Sequence, residues 1–268
     1  MKKIFRVLAV ALCVACLAAC LAGCGNNTGG NKDLGLLTDG VLKVGMEIGY
    51  PPFELYDDSG EPIGLDIDMA NAIGEILGVE VVFEDTLFDG ILDGLRTDRY
   101  DCVISAVTIT GDRAKEVDFT RSYIENWQCI VIKKGNPAVT SAQGMDGLNM
   151  GYQEGTTSKE YIEELIGSGA ISCSKNPYDK IMNAFDDLKL GRLDAVLADS
   201  TVADGYLARD PDAFEMTWIQ SSDSGAEAET FGVAVKKGNQ KLLKALNDAM
   251  AELENNKKLD GFRRAWLS

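Results

Sequence analysis

The 268-residue sequence contains no histidine. That excludes Ser-His-Asp and Cys-His catalysis, histidine-ligated zinc or haem, and the usual side-chain switch near neutral pH. Basic residues are scarce, 26 against 42 acidic ones, so the formal net charge is −16. A field of that sign repels phosphate backbones and argues against nucleic acid as a partner. Cysteine is scarce outside the first 24 residues, which hold four of the seven, at positions 13, 16, 20 and 24. Cys13-x-x-Cys16 is therefore neither a redox nor a metal motif. Cys102 and Cys129 lie in apolar, strand-like runs and, with Cys173, read as small buried thiols rather than as a disulfide pair. Asp57-Asp58-Ser59-Gly60 lacks the spacing of a calcium loop and reads as a turn. No cofactor and no metal is implied.

What is present is a folded chain: 46% of residues are hydrophobic and 25% charged, in a length that suits one large domain or two of ordinary size. It opens with a basic stretch, Lys2, Lys3 and Arg6, followed by an apolar run from Val7 to Ala22. A spanning helix wants roughly 20 apolar residues, so this reads as a secretion signal rather than a permanent anchor. Gly25 to Asp33 has no apolar residue, and we take 25–39 as a flexible tether. Removing the signal leaves 23 basic against 42 acidic residues, a net charge of −19.

From Val41 onward, short β-rich runs alternate with amphipathic stretches, the pattern of an α/β domain. Strands are expected at Val41 to Gly45, Val79 to Phe83 and Cys102 to Ala106, with a helix over Asp66 to Leu77 stopped by Gly78. The theme restarts after Tyr123. Strands are expected at Cys129 to Lys133, Met150 to Gln153, Ala195 to Ala198 and Phe231 to Val235. Helices are expected at Thr157 to Ile166, around Ile181, Met182, Phe185 and Leu188, and at Gln240 to Leu253. Two α/β units imply two lobes and a cleft between them.

Five segments carry chemistry. Tyr50-Pro51-Pro52-Phe53-Glu54 follows the first strand; its aromatics are either presented to a ligand or plug the local core. In Gly64-Leu65-Asp66-Ile67-Asp68 the carboxylates read as a helix cap at Asp66 and a dipole partner at Asp68. Ser105-Ala106-Val107-Thr108-Ile109-Thr110-Gly111-Asp112-Arg113 ends a strand in hydroxyls and free backbone groups and adds a guanidinium. Arginine grips carboxylates with two parallel bonds, although in isolation Arg113 reads more simply as a surface ion pair. Gln153-Glu154-Gly155-Thr156-Thr157 offers a helix N-terminus with two hydroxyls, either an anion site or a plain cap. Asp199 ends a buried strand, where α/β ligands commonly bind.

Taken together, Tyr-Pro-Pro-Phe-Glu, Gly-Leu-Asp-Ile-Asp, Thr-Ile-Thr-x-x-Arg with Val-Asp-Phe-Thr, Gln-x-Gly-Thr-Thr and the Asp199 strand resemble the polar-amino-acid solute-binding proteins of ABC importers, extracellular solute-binding proteins family 3. The resemblance covers roughly residues 40 to 268. It implies a two-lobed α/β fold of the periplasmic-binding-protein type II, with two hinge strands and the ligand in the interlobe cleft. Lobe 1 would comprise 40–124 plus 231–268, and lobe 2 would comprise 127–228. The end of the signal, Leu21-Ala22-Gly23-Cys24, resembles the lipobox of bacterial lipoproteins. This implies lipidation at Cys24 after removal of 1–24, with Cys20 fitting the same loose pattern. The mature protein would be held on the extracytoplasmic face of the membrane of a Gram-positive bacterium, as a monomer serving a permease and its cytoplasmic ATPase.

Carried over position by position, the resemblance implies that Arg113 grips the α-carboxylate of a free L-amino acid, helped by Thr108 and the amides of Thr156 or Thr157. Asp199 and the carbonyl of Ala106 would take the α-ammonium. Tyr50 and Phe88 would flank the ligand side chain, with Phe88 standing where relatives commonly have tryptophan. Glu47 would meet the side-chain end, where relatives often have aspartate. This favours a cationic amino acid, arginine or lysine, with glutamine or another polar amino acid as the alternative. An acidic ligand is disfavoured, because no lysine is evident near Glu47. A dehydratase on the same fold is the alternative of a different class, and a sensor module a third.

Overall fold

The computed structural model describes residues 33–220 and 227–267. The signal, Cys20, Cys24 and most of the tether lie outside the described residues. The chain just before the first strand is hydrogen-bonded to the folded body. The Leu37 amide donates to Asp101 Oδ1 at 2.6 Å, and Asn239 donates to the Gly35 carbonyl at 3.0 Å.

Two five-stranded sheets organise the described residues. In the first, β1 (Val41–Met46) lies between β4 (Glu80–Asp85) and β5 (Cys102–Val103), parallel to both. β12 (Glu229–Lys236) then runs antiparallel between β5 and β6 (Val117–Asn126). The second sheet has the order β11, β7, β10, β8, β9. Its members are β7 (Gln128–Lys133), β8 (Asn149–Gln153), β9 (Ser174–Tyr178), β10 (Ala195–Asp199) and β11 (Phe214–Ile219). A small ribbon, β2 (Leu55–Tyr56) with β3 (Pro62–Ile63), completes the strands. This is the two-lobed type II architecture.

Local chemistry explains the elements. A strand covered on both faces reads as a continuous apolar run, as Ala195–Asp199 does up to its final acid, with every position buried. The helix Leu65–Leu77 packs Met69, Ala70 and Ile73 inward and ends at Gly78, whose φ of 72° supplies the left-handed cap. The helix Gln240–Asn255 is capped by Asn239 and turns Leu242, Leu246, Ala249, Met250 and Leu253 to the core. On the helix Ile181–Lys189, Ile181, Phe185 and Leu188 are buried as read from periodicity. Met182 is 43% exposed, a correction: it lies one residue past Ile181, which turns it about 100° off the apolar stripe. Cys102, Cys129 and Cys173 are free thiols, the first two buried.

The chain crosses from the first sheet to the second with a single residue, Trp127, between β6 and β7. It is back in the first sheet at β12, whose Glu229 pairs with Asn126 and Thr230 with Glu125. The candidate residues cluster at this crossing and at the carboxyl ends of β1, β8 and β10.

Candidate functional site

The exit of β1 brings Glu47 and Tyr50 to the junction of the sheets. The Gly49 and Tyr50 amides both donate to the Glu54 carbonyl, and the Phe53 amide returns to the Tyr50 carbonyl, which makes 49–54 a tight loop. Its two aromatics have different fates. Phe53 is fully buried, edge-on to Phe231 with ring centroids 5.4 Å apart, and is core. Tyr50 reaches across to the second sheet and donates its hydroxyl to Asp199 Oδ2 at 2.6 Å.

Asp199 is buried at the end of β10, and its Oδ1 accepts from Asn126 at 2.7 Å and Gln128 at 2.9 Å. A second carboxylate, Glu229, shares these donors. Its Oε2 accepts from Gln128 at 3.0 Å, Thr157 at 3.1 Å and Asn126 at 3.3 Å. Burial first, then the Asp199 charge, push the Glu229 carboxyl up to about 7. Burial also pushes Asp199 up, while Tyr50, Asn126, Gln128 and the charge of Arg113 pull it back.

Glu47 is 1% exposed. Its carboxylate accepts from the Phe88 amide at 2.7 Å and from Gln153 Nε2 at 2.8 and 2.9 Å, the latter bridging to the second sheet. Burial pushes it up to about 7, against the pull of these donors and of Lys180. The amide oxygen of Gln153 is buried without a hydrogen-bond partner among the described residues. Lys180 corrects one sequence-based expectation, since a lysine does stand near Glu47. Its ammonium donates to the Ile48 carbonyl at 3.3 Å and lies 4.0 Å from Asp85. Only the fold brings it there, 133 residues on in the chain.

Arg113 is not a surface ion pair. Half-buried, it donates Nη1 to the Thr108 carbonyl at 2.9 Å and Nη2 at 2.8 Å to the carbonyl of Gly155, in the turn that follows β8 of the other sheet. Its Cζ stands 5.5 Å from the centre of the Phe88 ring, a cation–π contact. Burial lowers its proton affinity, and the charges of Glu160, Asp199 and Glu229 support it. Thr156 caps the helix Thr157–Gly167 by accepting from the Lys159 amide. Ala106 is buried in the left-handed region, φ 45°, with its amide donating to Asp66 Oδ2 at 2.8 Å.

That last bond is another correction. The helix Leu65–Leu77 begins from Gly64, whose φ of 136° and close approach to the Phe53 carbonyl admit no side chain, and no side chain caps it. Asp66 instead turns inward to Ala106 and Tyr123. Sequence reasoning also missed Asn126, Gln128 and Glu229. They flank the crossing between sheets, where no motif or periodicity marks them.

The assembled groups are one guanidinium, the Lys180 ammonium, three carboxylates, an amide oxygen lacking a donor among the described residues, and two aromatic rings. A cavity of about 120 Å³ opens beside them, lined by Phe88, Asp89, Arg113 and Gly155 among others. A larger one, about 410 Å³, is lined by a separate set including Pro52, Asp204, Gly205 and Trp266. The set of groups matches a ligand carrying a carboxylate and more than one cationic or donor-rich group.

Comparison with known proteins points the same way. The family model for bacterial extracellular solute-binding proteins, family 3, matches residues 42–268. The L-cystine-binding protein TcyJ of Escherichia coli (strain K12) is 33% identical over 229 residues, 85% of this chain and 83% of that protein. The ABC transporter arginine-binding protein 1 of the same strain is 34% identical over 213 residues, 80% of this chain and 85% of that one. Among solved structures, an ancestral arginine-binding protein bound to arginine superposes with a TM-score of 0.79 at 36% identity, covering 85% of this chain and 99% of that one. These relatives are amino-acid-binding proteins, not enzymes.

Proposed function

This chain belongs to the bacterial extracellular solute-binding proteins of family 3, and from that premise we propose that it is the binding component of an amino-acid ABC importer, with arginine or lysine as substrate. In this reading 40–124 plus 231–268 form one lobe and 127–228 the other, and the ligand is held where the sheets meet. Arg113 takes the α-carboxylate with Thr108 and the amides of Thr156 or Thr157. Asp199 and the Ala106 carbonyl take the α-ammonium, with Glu229 as a second carboxylate beside Asp199. Tyr50 and Phe88 flank the side chain, whose far end meets Glu47.

The observation that carries the cationic reading is the pairing of two buried acceptors, the Glu47 carboxylate and the amide oxygen of Gln153, which has no hydrogen-bond partner among the described residues. A guanidinium has five donors and no acceptor, so it would satisfy both at once. Glutamine is the second reading, because the Gln153 Nε2 now on Glu47 could turn to a neutral amide oxygen. Because Arg113 lies in the helical turn before β6 and Asp199 ends β10 of the other sheet, a zwitterion satisfies both only when the lobes are together, and that differential affinity would drive closure.

Retention at the membrane through Cys24, delivery to a permease and its ATPase, and a Gram-positive setting belong to the same proposal. So does a carrier role rather than a dehydratase one, which the likeness to amino-acid-binding proteins favours. A thermal-shift panel of the twenty amino acids tests the proposal. Stabilisation by arginine and lysine supports it; no shift with any amino acid, together with turnover of prephenate-like acids, overturns it.

A further inference from the structure

Behind the site lies a pair of carboxyls that ligand binding as described does not use. Glu54 and Asp66 are both 0% exposed, and their carboxyls bind the successive residues Ser105 and Ala106, which sets them side by side. Each has one oxygen satisfied by donors. Glu54 Oε1 accepts from the Ser105 hydroxyl at 2.6 Å. Asp66 Oδ2 accepts from the Ala106 amide at 2.8 Å and the Tyr123 hydroxyl at 2.9 Å. Each has one oxygen, Glu54 Oε2 and Asp66 Oδ1, with no donor among the described residues. Two neighbouring buried acceptors without donors are costly, and a single proton between them would satisfy both.

The geometry points to a proton shared between Glu54 and Asp66, carried on Glu54, that makes the pair a positioning element for Ser105 and Ala106. Asp66 is the anion because its second oxygen already receives two donors, whereas Glu54 receives one. The ionisable groups facing the pair are Glu47 and Tyr50 from the loop after β1 and Tyr123 from β6. All are acids, so among the described residues no cation facing the pair competes for the role of the proton. Burial and the neighbouring Asp66 charge push Glu54 well above the usual carboxylate range.

The consequence reaches the site through two backbones. Ser105, oriented by Glu54, accepts from the Glu47 amide at 3.0 Å. Asp66 holds the amide of Ala106, a non-glycine residue in the left-handed region that persists only when its surroundings over-determine it. One proton thus ties together the exits of β1 and β5. That these exits present Glu47 and the Ala106 carbonyl to an amino acid rests on the function proposed above; the shared proton does not.

The test uses the mature chain labelled with ¹³C at glutamate carboxyls, the Glu54 resonance being the one lost in Glu54→Gln. Without any ligand, Glu54 should stay protonated through pH 7 while surface glutamates titrate; a Glu54 that titrates with them overturns the proposal. Glu54→Gln keeps one donor toward Asp66 and one acceptor toward Ser105, so arginine affinity should stay within about twofold. Asp66→Asn should let Glu54 ionise at a lower pH than in wild type, with burial still holding it above the surface glutamates. The double variant Glu54→Gln/Asp66→Asn no longer matches donor to acceptor and should weaken arginine by roughly tenfold or more. Equal losses in Glu54→Gln and the double variant would overturn the proposal as well. If wild type binds no amino acid, the function proposed above fails, and the titration alone still decides the shared proton.

Discussion

The Tyr50 hydroxyl donates to Asp199 at 2.6 Å across 149 positions of sequence, and in doing so joins the loop after β1 to the end of β10 in the other sheet. The Glu47 carboxylate and Gln153 amide make a second such bridge at 2.8 Å, and the Arg113 guanidinium and Gly155 carbonyl a third at 2.8 Å. Residues assigned to ligand binding are therefore also the residues that join the sheets.

Tyr50→Phe removes one charge-assisted bond and leaves Asp199 its two amide donors, Asn126 and Gln128. Urea unfolding should show a loss of about 1–3 kcal/mol. A variant as stable as wild type would mean that the bridge contributes nothing to the fold.

Arg113→Ala leaves a bound carboxylate without its partner. Affinity for arginine should fall roughly 30-fold or more, since breaking a buried charge pair costs about 2–5 kcal/mol. Calorimetry that finds the affinity unchanged would remove Arg113 from the site.

The pH dependence has a definite sign. Glu47 and Glu229 sit near 7 in the folded chain, raised from 4.5 by burial. In the unfolded chain they release their protons at lower pH, so the folded state holds more protons between about 4.5 and 7. The stability contributed by each is full below 4.5 and is lost as pH rises through 7, at most about 1.4 kcal/mol per pH unit. A cationic ligand needs these groups ionised, so its affinity should rise from pH 5.5 to 8, and Glu47→Gln should flatten the rise. Arginine affinity that falls over this range would contradict the assignment of Glu47.

Burial pushes the Cys102 and Cys129 thiols up, and neither is exposed. Maleimide labelling of the folded mature protein should be slow at both and fastest at the half-exposed Cys173, with all three reacting after unfolding. Rapid labelling of Cys102 would show that β5 opens far more readily than its burial implies.

The sequence made the architecture legible wherever hydrophobic period was clean. β1, β10 and the helices Leu65–Leu77 and Gln240–Asn255 were readable from apolar spacing alone. β6 was not, because its burial follows no two-residue alternation and its pairing with β12 shifts register around Gly232. β9 was hidden by its polar residues and Pro177, which only an edge strand tolerates. In the site, Tyr50, Arg113 and Asp199 stand in motifs, whereas Asn126, Gln128 and Glu229 meet only because the chain crosses between sheets twice at that point. Asp66 was misread because an acid in a first helical turn usually serves the helix, and nothing local reveals that Gly64 frees it to turn inward.

The most direct measurement is competition calorimetry of arginine against glutamine on the mature protein and on Glu47→Gln. Arginine should bind wild type more tightly than glutamine, and the substitution should weaken arginine far more, because only the cation loses a charge partner. Tight glutamine binding that arginine does not displace, unchanged by Glu47→Gln, would contradict the cationic pocket built on Glu47 and Gln153.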